Sequence, residues 1–141
     1  MQTPQVLILV ACIVGMDLFV VPLIIGAFVR AAWTPMVERY PAVEPAPDAV
    51  RRGFQSFNSG SLNFGGCIHV AVDHAYLHLR PAWLARRLGA GAASIPWDRI
   101  AIARSGARKS RARIDGTSIE LTGPRWCMEL ASGPDTRPGN P

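Results

Sequence analysis

Hydrophobic residues fall into two regimes along this chain. From Val6 to Val29, VLILVACIVGMDLFVVPLIIGAFV, they are nearly continuous, whereas beyond residue 49 they alternate with polar ones. An apolar run of about 24 residues is long enough to cross a bilayer as a helix. Alternation with a period of two marks strands that bury one face. The pattern predicts an N-terminal transmembrane helix followed by a small all-β domain. The expected divisions are an anchor over 1–32, a Pro-rich linker over 33–48, the β domain over 49–131 and a disordered Gly/Pro-rich tail over 132–141.

A cleaved signal peptide would carry a basic leader and a shorter apolar run, but Met1 to Gln5 contains no Lys or Arg, so the segment is expected to stay as an anchor. A buried core helix is the other reading, and a chain this short has too little further apolar material to enclose one. Arg30, Arg39, Arg51 and Arg52 all follow the run, which predicts an inner-membrane protein with its C-terminal domain in the cytoplasm. Trp33 and Tyr40 are expected at the membrane interface. Asp17 lies mid-span, where a carboxylate is expensive and marks either a helix-helix contact or a protonated carboxyl. Pro22 removes a backbone donor nearby and predicts a kink. Gly15 and Gly26 are wrongly spaced for a small-xxx-small dimer face.

Within the domain, Arg52–Asn58 is a weak strand candidate followed by the turn Ser59-Gly60-Ser61. In LNFGGCIHVAVD, Ile68, Val70 and Val72 share one face, with Cys67, His69, Ala71 and Asp73 on the other. Asp73-His74 turns the chain into AYLHLR, where Leu77 and Leu79 oppose His78. Pro81 suits a first helical turn, and Gly89 ends any helix that follows. Extended structure resumes at Ile95, RIAIAR is the next strand, and Asp115-Gly116 is a two-residue hairpin signal between Arg111–Asp115 and Thr117–Leu121. RWCMEL closes the sheet or forms a last short helical turn.

Composition adds a formal charge of +5, carried almost wholly by arginine. A basic domain held beside an anionic leaflet is drawn to it by about 1 kcal/mol per basic group. Only Cys67 and Cys127 fall in the domain, and a cytoplasmic location argues for two free thiols.

The order of hydrophobic strand, Asp, a short strand with Tyr-Leu-His-Leu, a basic-apolar insertion and then Ile-Pro-Trp-Asp-Arg-Ile resembles membrane-anchored bacterial proteins with a PH-like or GRAM-like domain of unassigned function. The resemblance runs from about Phe54 to Ile102, and Ile95-Pro96-Trp97 with Ile100 is its most specific piece. It implies an antiparallel β-sandwich or partly open barrel, of a kind whose eukaryotic relatives bind phosphoinositides or protein partners. The chain departs from the pattern after Leu130, where Ala131 is followed only by Pro, Gly and polar residues in place of a long C-terminal helix.

His69, His74 and His78 with Cys67 and Asp73 are zinc-binding residue types, but the expected faces scatter them. Gly89-Ala90-Gly91 lacks the lysine of a nucleotide cradle, and no nucleophile motif frames the Ser, His and Asp residues. The expectation is a non-enzymatic module without a cofactor. Two contact surfaces stand out. One is the insertion with Trp83, Leu84 and Leu88 beside Arg86 and Arg87, suited to dipping into a headgroup region. The other is the run RSGARKSRAR, with Arg104, Arg108, Lys109, Arg111 and Arg113. Nucleic acid is not expected, because no aromatic side chain interleaves those cations. The leading expectation is a bilayer-anchored domain contacting anionic lipid headgroups or another membrane protein. An accessory subunit of a membrane complex, held through Asp17, is the alternative, and a metal-dependent enzyme the outsider.

Overall fold

The computed structural model describes residues 2–132. The Gly/Pro-rich stretch from 133 onward, most of the tail expected to be disordered, lies outside the described residues. A single helix, α1 (Thr3–Arg39), runs unbroken through Pro22 and Pro35. At 1.5 Å per residue its 37 residues extend about 55 Å, well beyond the ~30 Å of a hydrocarbon core. It is long and apolar enough to span a membrane, and none of its most apolar stretch is buried by the protein.

The surplus length has a different use. Gly26, Val29, Trp33 and Met36 are buried, and Tyr40 follows at the same spacing of three and four residues, so one face of the last turns is apolar. Trp33 and Met36 have no exposed surface. The Trp33 ring lies 4.9 Å from that of Phe64, and its Nε1–H donates to the Gly91 carbonyl at 2.7 Å. This corrects the expectation that Trp33 and Tyr40 anchor at the lipid interface: both lie in the protein core. The stretch expected as a Pro-rich linker over 33–48 is part helix and part strap on the sheet. The helix continues to Arg39, and the strap over 41–47 lies against the sheet through a Pro41–Ala93 bridge.

Seven antiparallel strands follow: β1 (Val50–Ser59), β2 (Leu62–Val72), β3 (Tyr76–Pro81), β4 (Ala93–Pro96), β5 (Ile100–Ser105), β6 (Lys109–Ile114) and β7 (Glu120–Pro124). They form one curled sheet in the order β4-β3-β2-β1-β7-β6-β5. Its inner face carries Phe57, Ile68, Val70, Leu77, Leu79, Ile95, Ile114 and Leu121. The end of α1 packs against this core from one side. On the other, α3 (Arg125–Met128) and a 3₁₀ turn (Glu129–Ser132) add Cys127 and Met128. Burial pushes the Cys127 thiol up to about 12, against hydrogen bonds from nearby backbone and the field of Arg52.

Between β3 and β4 stands α2 (Trp83–Arg87), ended by Gly89 in a left-handed conformation with φ of +107°. The Asp115-Gly116 hairpin is longer than expected. Ile114 and Ile119 close the loop, because the Asp115 backbone is engaged elsewhere, by the Arg99 carbonyl and the Tyr40 hydroxyl.

Candidate functional site

The insertion at 83–88 is fixed by its packing on α1. The Leu88 carbonyl stands 3.3 Å from where a β-carbon on Gly26 would be, and the stem of Arg30 lies against Gly89. Further along, Val37 lies against Gly91, and Gly91 accepts from Trp33. The 88–91 segment therefore tracks α1 from residue 26 to residue 37. Gly26 belongs to the apolar run, so α2 sits where that run meets the domain. Trp83 is 64% exposed and Leu84 55%, beside exposed Arg86 and Arg87. The Arg87 guanidinium lies 5.9 Å from the Trp83 ring centroid. Leu88 is only partly buried and packs on the core, so it supports the corner rather than presenting a contact.

On the outer face of the sheet, pairing sets Arg51, Ala71, His78 and Ser94 in one cross-strand row and His69 with Arg80 in the next. With the strap and α2 as walls they enclose an open groove of about 850 Å³. Among the described residues no carboxylate lies within 4 Å of the Arg51, Arg80 or Arg86 guanidinium. Arg80 was not among the residues singled out by sequence, and its signal was its alternation with Leu77 and Leu79.

The same face holds a buried relay that sequence reasoning missed. His78 Nε2 lies 2.8 Å from Asp73 Oδ2, and His78 Nδ1 lies 2.7 Å from Ser94 Oγ. Ser, His and Asp in a row suggest a nucleophilic triad, but the seryl oxygen is already engaged. It accepts from the Val43 amide at 2.8 Å and lies 3.2 Å from the Val43 carbonyl, and Ser94 is 3% exposed. Asp73 is tied down as firmly, accepting from the amides of Ala75, Tyr76 and Ala46. Burial alone would raise its pKa. The hydrogen bonds from His78 and those three amides outweigh burial and hold the carboxyl well below its usual range. These groups clamp the strap to the sheet.

No known family, curated protein or solved structure matches this chain. Its own geometry carries the functional reading.

The remaining residues separate. His69 packs against Phe54, ring centroids 4.9 Å apart, and His74 is exposed in the β2–β3 turn. Among the described residues no three His, Cys, Asp or Glu side chains converge as a metal site. Phe54 is 73% exposed at a bulge in β1, with a φ of +54° that is uncommon for a large side chain. Arg104 and Arg111 pair across β5 and β6. Arg108 and Lys109 sit at the hairpin tip, Arg113 lies opposite Ala101, and all five cations are exposed. Arg111 lies 3.8 Å from Glu120 in a solvated pair that contributes little. In α1, Asp17 is exposed along with the residues around it.

Proposed function

We propose that this chain is a membrane-anchored, non-enzymatic interaction module whose α2 corner engages anionic lipid at the cytoplasmic face. One observation carries the reading: the Leu88 carbonyl packs on Gly26, inside the apolar run, while Trp83 and Leu84 beside it are exposed. In this reading α1 crosses the bilayer and the two apolar side chains lie at headgroup depth, with Arg86 and Arg87 able to reach phosphates; the packing on Gly26 supports it. The arginines that follow the span favour the cytoplasmic side. A PH-like or GRAM-like reading of the domain draws support from the partly open antiparallel sheet. In that reading the last turns of α1 cover the core where the family pattern has a long C-terminal helix.

The test is the thermal stability of the full chain in nanodiscs. In an anionic bilayer at low salt the domain should melt higher than in a zwitterionic one, and the difference should vanish as salt screens it. Equal melting in both bilayers at low salt would overturn the reading.

A second reading rests on Asp17, whose exposed carboxyl stands amid apolar side chains of α1. In an accessory subunit it would pack on a polar group of another helix. Asp17→Leu should then abolish co-purification with that partner, and unchanged co-purification would end the idea.

A further inference from the structure

A small cleft of about 300 Å³ lies where α2 meets α1. Leu18, Phe19, Pro22 and Leu23 supply an apolar wall from the helix, and Arg30 and Arg87 stand at the end toward the domain. The wall lies in the run that is exposed and long enough to span a membrane. Both arginines line the cleft beside the C-terminal end of that run. The side chain of Arg30 is held against Gly89, where an added β-carbon would stand 2.8 Å from Arg30 Cγ, so the arginine occupies space that a larger residue at 89 would take. Among the described residues no carboxylate lies within 4 Å of either guanidinium.

We infer that this cleft seats one anionic glycerophospholipid, with its phosphate on Arg30 and Arg87 and its upper acyl carbons on Leu18, Phe19, Pro22 and Leu23. The inference rests on the membrane-surface reading above and names the ligand of that corner. An apolar wall joined to two cations without a carboxylate partner matches a molecule that is apolar at one end and anionic at the other. Free phosphate would leave the wall uncovered. A choline headgroup would bring its own cation against the guanidiniums, so a headgroup with net negative charge is favoured.

The experiment is native mass spectrometry of the detergent-solubilised full chain titrated with phosphatidylglycerol or phosphatidylcholine. The wild type should retain one phosphatidylglycerol in preference to phosphatidylcholine. Arg30→Gln with Arg87→Gln should weaken that retention by about thirtyfold, the loss of two headgroup contacts. Arg30→Lys with Arg87→Lys keeps both charges and should keep the preference. Arg99→Gln with Arg125→Gln removes the same charge from side chains already paired with Asp115 and Glu129, and should leave retention unchanged. Equal loss in both glutamine pairs, or no loss in the first, would overturn the inference. If the anionic nanodisc still raises the melting temperature in that case, the cleft alone is wrong. If it does not, the membrane-surface reading has failed as well.

Discussion

Gly26 and Leu88 meet across the junction of helix and domain, the Leu88 carbonyl lying 3.3 Å from the site a β-carbon on Gly26 would occupy. An alanine there asks the 88–91 segment to give by a few tenths of an ångström, and a larger side chain asks for much more. Gly26→Leu should therefore lift α2 from α1 and destabilise the domain by about 1–3 kcal/mol. Denaturant unfolding of the full chain in detergent measures this, and a stability equal to wild type would show that the two do not pack.

Trp33 makes the last turns of α1 part of the domain. Trp33→Ala should cost about 3–5 kcal/mol through the cavity and the lost bond to Gly91. A fragment of residues 48–141, lacking Val29, Trp33, Met36 and Tyr40, should show no cooperative unfolding by calorimetry. A sharp transition in that fragment would show that the helix end is dispensable.

Asp73 gives the domain an acid-sensitive clamp. Its folded carboxyl titrates below the ordinary value of 3.8, so the contribution of its ionised form is complete above that pH. It is lost as pH falls below 3.8 toward the depressed value. Asp73→Asn should lower stability at neutral pH by about 3 kcal/mol and flatten the acid limb of stability against pH. Denaturant midpoints measured from pH 7 downward check both, and an unchanged acid limb in the variant would contradict the role.

Cys127 should be inert while the domain is folded. A thiol pushed from 9.0 to about 12 holds about a thousandfold less thiolate near neutral pH, and burial blocks approach as well. Alkylation followed by mass spectrometry should modify Cys67 first and Cys127 only on unfolding. Equal rates at the two would show that α3 does not cover it.

Much of the β domain was legible because alternation is a local signal. Ile68, Val70 and Val72 face the core as read, His78 opposes Leu77 and Leu79, and Gly89 ends α2. What could not be read depends on pieces distant in sequence. Val29, Trp33 and Met36 suit hydrocarbon and a protein core equally, so their merger with the apolar run hid the three-four spacing that marks a packed face. The relay from Asp73 to Ser94 needs the β3–β4 register that sets His78 opposite Ser94, and no local pattern fixes it. The Asp115 loop lengthens because Tyr40 and Arg99, both remote, hold its backbone. The basic run was legible as exposed charge. The importance of the α2 corner came only from its contact with Gly26.

The end of α1 and the domain pack as one body, and the proposed reading sets α2 at headgroup depth. That reading is tested most directly by spin labels placed one at a time at Leu84 and at Ala107 in the full chain, with native cysteines replaced, in bilayer nanodiscs. The label at 84 should relax more with oxygen than with a water-soluble nickel chelate, and the label at 107 the reverse. A residue-84 label as accessible to the chelate as that at 107 would contradict the account.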